Sequence, residues 1–217
     1  MNYKGVIFDL DGTLVDTLED LAGAMNYGLE KLGEPAHSIE ACRKMIGNGV
    51  SKFAERALDS GKQHLHAQLL EIMKKRYLEK CFDRSLVYDG IPQTVKHLRN
   101  AGVGLAVVTN KNANAAKLVV EHFFGKGTFE EIIGVEGGKW VKPDPAGTYE
   151  IIRRMGLMKE DFILVGDSDV DIATAINAGV RPVGVTWGFR SKEQLIDAGA
   201  QTIVDSPGEI LDLVLNN

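Results

Sequence analysis

The apolar positions of this chain fall into two kinds of pattern. Val6-Ile7-Phe8 is a short unbroken apolar run, closed at once by Asp9-Leu10-Asp11-Gly12. Similar runs recur at Leu105-Ala106-Val107-Val108, closed by Thr109-Asn110, at Phe162-Ile163-Leu164-Val165, closed by Gly166-Asp167, and at Pro182-Val183-Gly184-Val185. Apolar runs that do not alternate predict strands buried on both faces. Ile132-Ile133-Gly134 and Thr202-Ile203-Val204 predict two shorter ones. Helical spacing fills the gaps: from Pro92 to Ala101, from Asn114 to Phe124, from Asp144 or Pro145 to Met155, from Asp169 to Ala178, from Ser191 to Ala198 and from Pro207 to Leu215. Several of these helices are closed by a glycine, such as Gly102, Gly156 and Gly179. Strands alternating with helices of this length predict a parallel sheet covered on both faces.

The stretch after Thr17 has a different alphabet. Leu18, Leu21, Ala24, Met25, Leu29 and Leu32 repeat at helical spacing up to Gly33. Ser38 is placed to cap a second helix, Phe53-Ala54 and Ala57-Leu58 mark a third, and Leu65 to Leu78 a longer fourth. No strand is predicted there. The first strand therefore has to join the later ones. The expected architecture is an α/β core made of residues 1–15 and 85–217, interrupted by an all-helical domain at 16–84. The two crossings are expected to be adjacent and to act as a hinge.

Composition narrows the function. The chain has 217 residues, is 44% hydrophobic and 25% charged, and carries a formal net charge of -5. That acidity argues against a nucleic-acid partner, which requires a clustered basic surface. No apolar run approaches the roughly 20 residues of a membrane span, and residues 1–4 leave no room for a secretory signal, so a cytoplasmic protein is expected. Cys42 and Cys81 fit no metal spacing and are expected to be free thiols. His64 and His66 are two apart and point to different faces of a helix, a poor metal pair.

The chemistry sits at the strand ends, where open parallel sheets bind their ligands. Asp9 and Asp11 are two apart, so along a strand both side chains point one way, and their charges repel unless a cation or a proton intervenes. Thr109-Asn110 closes the second long strand, Gly166-Asp167-Ser168-Asp169 and Asp171 follow the third, and Lys142-Pro143-Asp144-Pro145 lies between. Each has a plain alternative: Thr109 suits a helix cap, Lys142 a solvated loop, and Asp169 a helix N-terminus. Together, DLDGTLVDT from Asp9, VVTN at 107–110, KPDP at 142–145 and GDSDVD at 166–171 resemble the four motifs of the haloacid dehalogenase-like (HAD) hydrolases, a family dominated by phosphatases.

The resemblance implies a Rossmann-like parallel sheet with helices on both faces, the inserted helical domain serving as a cap over the substrate. It implies Asp9 as nucleophile and Asp11 as general acid and then base, with Thr109 and Asn110 holding phosphoryl oxygens. Lys142 would balance charge, and Asp171, with Ser168, would support it. Mg²⁺ is the implied cofactor, with Asp9, Asp167 and the backbone carbonyl of Asp11 as ligands. The implied partner is a small phosphate ester, and the chain a monomer or homodimer. Met45-Ile46-Gly47-Asn48-Gly49-Val50 followed by Glu55-Arg56-Ala57-Leu58 resembles the cap loop of bacterial phosphoglycolate phosphatases. Asn48, Gly49 and Arg56 are then expected at a substrate carboxylate, although Gly-Asn-Gly is also an ordinary turn. The tail GVTWGFRSKEQLIDAGA resembles that subfamily too, with no catalytic part to assign. Sugar phosphatases, pyrophosphatases and β-phosphoglucomutase-like mutases share the core residues. Outside the family, a phospho-accepting or binding module groups similar residue types.

Overall fold

A computed structural model describes residues 3–216; the first two residues of the 1–4 lead-in lie outside it. The chain divides into two compact units, one of residues 1–15 and 87–217, the other of residues 16–86.

The larger unit is built on a six-stranded parallel sheet. In chain order the elements are β1 (Gly5–Phe8), β2 (Val15–Asp16), α1 (Leu18–Lys31), α2 (Ile39–Met45), α3 (Val50–Arg56), α4 (His66–Lys80), β3 (Leu86–Val87), α5 (Ile91–Asn100), β4 (Gly104–Asn112), α6 (Ala113–Phe124), β5 (Glu131–Val135), α7 (Ala146–Met155), β6 (Phe162–Gly166), α8 (Asp169–Ala178), β7 (Arg181–Val185), α9 (Lys192–Asp197), β8 (Ile203–Val204) and α10 (Pro207–Leu215). The sheet runs β5-β4-β1-β6-β7-β8. From β1 the chain goes to one side for β4 and β5, then returns to the other for β6, β7 and β8. The order thus reverses about β1, and a crevice opens beyond its carboxyl end. The register brings the polar residues level. Phe8 pairs with Val107 on one side and Val165 on the other, so Asp9 follows them at the same height as Val108 and Gly166.

The strands read as unbroken apolar runs because both faces are buried. Every residue of β1 and β6 is buried. Ile7, Val108, Phe162 and Leu164 share one core cluster with Ile133, Ile151, Ala175 and Val180. Each such side chain contributes roughly 1.5–3 kcal/mol when withdrawn from water. That rigid floor is what holds the polar strand ends still.

In the smaller unit α1 packs along α4, burying Leu18, Leu21, Met25 and Leu29 on one and Leu69, Met73 and Tyr77 on the other. A 3₁₀ turn at Ser60–Leu65 precedes α4. The expectation of no strand over residues 16–84 needs correction at its first residue. Val15–Asp16 and Leu86–Val87 form a separate two-stranded sheet. Two-residue strands carry too little pattern to be read from sequence. No helix among the described residues is long and apolar enough to cross a membrane.

Asp20 was not anticipated. It is buried in the first turn of α1, and its carboxylate accepts hydrogen bonds from Arg84 N (3.1 Å), Ser85 N (2.8 Å) and Ser85 Oγ (2.6 Å). It ties the start of the helical unit to its end. Asp20→Ala leaves these donors unsatisfied and is expected to lower stability by about 2 kcal/mol or more, a Tm drop of roughly 5 °C. Thermal unfolding of the purified variant checks this, and an unchanged Tm contradicts it.

Candidate active site

β1 delivers Asp9 and Asp11 to the crevice, β4 delivers Thr109 and Lys111, and β6 delivers Asp167. Gly12, at a φ of 94°, turns the chain immediately after β1, and a Cβ there would sit 2.5 Å from Asp167 Oδ2. Only glycine meets both conditions.

Lys142 is the hub. Its ammonium lies 2.6 Å from Asp171 Oδ1 and 2.7 Å from Asp9 Oδ1, and the residue is 3% exposed. The Asp9 contact has full ion-pair distance without the alignment of a regular hydrogen bond. Asp171 is fully buried, and its other oxygen accepts from Ser168 N (3.0 Å) and Ser168 Oγ (2.6 Å). The Ser168 N–H contact, together with Asp171 N donating to Ser168 Oγ (3.4 Å), forms the capping box that starts α8, so one carboxylate both begins a helix and anchors the lysine. The backbone of Lys142 is fixed from the other side. The Asn110 side chain accepts from Lys142 N (2.7 Å) and donates to Lys142 O (3.1 Å). The Asn110 side chain thus braces the lysine loop, a task the sequence did not suggest. The solvated-loop alternative for Lys142 is excluded by its burial.

Thr109 does not cap a helix. Asn112 does, accepting from Asn114 N (3.1 Å) at the start of α6. Thr109 is buried, and its Oγ1 accepts from Lys111 N (3.2 Å). Its own hydroxyl proton is thereby directed elsewhere. Asp167 is braced by the Thr13 hydroxyl (2.9 Å) and by Phe189 N (2.8 Å), while Trp187 Nε1 donates to Thr13 O (3.0 Å). The tail motif that had no assigned part therefore holds this acid in place. Asp169 turns outward, its side chain 59% exposed. In the helical unit, the structure brings Arg56 and Asn48 together. The guanidinium donates to Asn48 Oδ1 (2.6 Å) and Met45 O (2.7 Å), and Gly49, at a φ of 84°, precedes α3.

Lys111 is the residue the sequence reading missed. Its Nζ lies 2.8 and 3.0 Å from the two Asp11 oxygens, and it is 8% exposed. A lysine directly after TN, one residue beyond Asn110, was the available signal. A lone lysine is ordinarily solvated, so its type alone carried no weight.

Burial pushes the carboxyl groups of Asp9 and Asp167 well above the usual carboxylate range, and the nearby charge of Asp171 pushes them further. Burial alone would lower Lys142, but Asp171 and Asp9 overcome it and hold its pKa above the ordinary value. Once the Asp11–Lys111 pair is counted as neutral, Asp9, Asp167 and Asp171 face one ammonium and leave an excess of two negative charges. Oxygen atoms of these three acids lie within 4.8 Å of one another. Asp171 accepts three hydrogen bonds, from Lys142 and twice from Ser168, and Asp167 accepts two, from Thr13 and Phe189, so Asp9 and Asp167 have more lone-pair capacity left for a cation. Hard carboxylate oxygens and a twofold charge deficit fit a divalent cation.

A parallel sheet reversing about an Asp-bearing strand, with a buried lysine and further acids at neighbouring strand ends, places the chain in the class of doubly wound α/β proteins with an acid-and-lysine site at the switch point. Comparison with known proteins makes this specific. The model of the haloacid dehalogenase-like hydrolases matches residues 6–185. A phosphoglycolate phosphatase of Pseudomonas putida is 35% identical over 205 residues, 92% of this chain and 75% of its own. One from Mannheimia succiniciproducens is 33% identical over 98% of both. Among solved structures, a protein from Lactobacillus delbrueckii subsp. bulgaricus superposes with a TM-score of 0.93 at 33% identity over 100% of both chains. A predicted phosphoglycolate phosphatase from Haemophilus somnus gives 0.88 at 30% over 98% of both. The chain belongs to the haloacid dehalogenase-like hydrolases. It is an enzyme, and it stands among the phosphatases of that family.

The raised acids make the site pH-sensitive. The folded protein binds protons at Asp9 and Asp167 more tightly than the unfolded chain, so this site's contribution to stability falls as pH rises from roughly 4 through neutrality. Chelator-treated protein is expected to lose Tm over that range, and Asp167→Asn to flatten the loss. A divalent cation must displace those protons, so its stabilising effect should be larger at pH 8 than at pH 5.5. Thermal unfolding across pH, with and without the cation, decides this; a cation effect independent of pH contradicts it.

Proposed function

We propose that this protein is a magnesium-dependent phosphatase that hydrolyses 2-phosphoglycolate to glycolate and phosphate through an aspartyl-phosphate on Asp9, and that it works in the cytoplasm. The observation that carries the reading is the position of Asp9. It stands at the carboxyl end of the central strand, 2.7 Å from the Lys142 ammonium and beside Asp167.

An Asp9 oxygen attacks phosphorus, and the bond from phosphorus to the ester oxygen breaks. Asp11 gives its proton to the departing oxygen. A water then loses a proton to Asp11 and attacks the phosphorus, which frees phosphate and restores Asp9. One hard displacement becomes two easier ones. The same carboxyl group serves as acid and then as base, which requires its side chain to be turned from the metal. Lys142 offsets charge shared by Asp9 and the transferring group, and its buried setting makes that offset larger than water would allow. The Thr109 hydroxyl and the Asn110 backbone N–H hold phosphoryl oxygens. Asp9, Asp167 and the Asp11 carbonyl would hold a magnesium ion, whose charge would offset that of the phosphate dianion. The helical unit, residues 16–86, acts as the cap, with Asn48, Gly49 and Arg56 in its specificity loop. Support for 2-phosphoglycolate comes from the relatives bearing that activity in their names and from that loop.

Asp9→Asn should fold with a near-native Tm and lose at least about 10³-fold in kcat. Appreciable residual turnover of p-nitrophenyl phosphate with magnesium present would sink the nucleophile assignment. On a panel of 2-phosphoglycolate, glucose 1-phosphate, glycerol phosphate and pyrophosphate, the first should have the highest kcat/KM. Preference for another member reassigns the substrate to a sugar phosphatase, pyrophosphatase or mutase.

A further inference from the structure

We propose that Lys111 is a specificity residue that reads a negative charge on the leaving group, through the ammonium it holds against Asp11. The inference rests on the phosphatase reading above and deepens it.

The placement of Lys111 is over-determined. β4 continues past Thr109 to Asn112, and residues two apart on a strand share a face, so Thr109 and Lys111 point into the same crevice. The pairing of β4 with β5 shifts register between Val108 and Asn112. Gly134 lets β5 close on this segment, since a Cβ there would lie 2.6 Å from Lys111 O. The Lys111 N–H is held by Thr109 Oγ1 at 3.2 Å. The backbone is therefore fixed, and the side chain, 6% exposed, ends 2.8 and 3.0 Å from the two oxygens of Asp11.

That pairing puts a cation where the leaving group must lie. For Asp11 to protonate the ester oxygen, that oxygen comes within about 2.6–3.2 Å of its carboxyl group. The Lys111 ammonium is within one hydrogen-bond length of the same carboxyl. A group two bonds from the ester oxygen then falls within reach of the ammonium on its flexible stem. In 2-phosphoglycolate that group is a carboxylate. An ammonium has three donors and can serve two carboxylates at once. In a water-poor setting a charged hydrogen bond of this kind discriminates by about 10- to 100-fold. A neutral leaving group, such as an alkyl alcohol, gains nothing from it. Arg56, the counter-charge suggested by the sequence, directs two of its five N–H donors to Asn48 and Met45. The core thus carries a cation for this task on a strand end.

The test compares 2-phosphoglycolate with ethyl phosphate, which has the same carbon skeleton and no carboxylate, with kcat and KM measured separately for wild type, Lys111→Met and Lys111→Arg. Releasing Asp11 affects both substrates alike, so the ratio of their kcat/KM values is the readout. In Lys111→Met that ratio should fall about 10- to 100-fold, chiefly through KM for 2-phosphoglycolate. Lys111→Arg, which keeps the charge, should hold it within about threefold of wild type. Should Lys111→Met fail to fold, Lys111→Gln keeps a polar head for Asp11 and carries the same comparison. An unchanged ratio, with both substrates losing equally, overturns the inference while leaving the phosphatase reading intact. Absence of turnover of either ester by wild type overturns both.

Discussion

The structure depends on one arrangement of charge: a buried ammonium, Lys142, held between Asp171 and Asp9. Removing three charged groups from water is unfavourable unless their geometry is tightly held. The surrounding fold supplies that geometry. The Asn110 side chain fixes the lysine backbone at both its N–H and its C=O, and Ser168 fixes the far oxygen of Asp171. These supports come from β4 and from the turn that leads from β6 into α8, and β4 and β6 flank β1 on opposite sides in the sheet. The reversal of strand order about β1 is therefore more than a topological detail. It is what lets two separate stretches of chain hold one lysine over the end of a third.

The acidic pair at the end of β1 shows why two lysines are needed. Asp9 and Asp11 are nearly adjacent in sequence, yet the fold gives each its own cation. Asp9 meets Lys142, whose other partner is the fully buried Asp171. Asp11 meets Lys111, which comes from the strand that also carries Thr109. An acid shared between the two lysines would blur the proposed roles of attacking group and proton carrier. Separate partners keep the two carboxylates in different surroundings, and a difference in surroundings is how paired acids come to do different work.

Much of this was legible from the chain, because it is written locally. A continuous apolar run followed at once by a polar cluster marks a strand end, and DLDGT, VVTN and GDSDVD each carry both halves of that signal. Asp171 follows Asp167 by four residues, so the cap of α8 and its acid are encoded together. What stayed hidden were partnerships across long separations. Lys111 and Asp11 are 100 residues apart, Asp20 and Ser85 are 65 apart, and Asp167 and the Phe189 N–H are 22 apart. No single residue type distinguishes a buried, paired lysine from a solvated one. Asn110 was legible as a site residue, but the bracing of Lys142 by its side chain was not, because only a three-dimensional neighbour reveals it.

The same reasoning explains why the tail matters. As a proposed metal ligand, Asp167 needs its charge stabilised without losing the lone pairs that a metal would require. The Thr13 hydroxyl and the Phe189 N–H take one position on each oxygen, and a carboxylate oxygen retains a further acceptor site after one such bond. Thr13 is in turn held by the Trp187 indole at its carbonyl. The loop after β7 therefore sets the angle at which Asp167 faces Asp9 while contributing no side-chain acid or base of its own. A stretch can be silent in motif terms and still fix the geometry on which a metal site depends. Such second-tier contacts orient ligands in metal proteins generally. Here they are made by backbone and indole N–H groups, which leave no chemical signature in the sequence beyond an aromatic pair flanking a glycine.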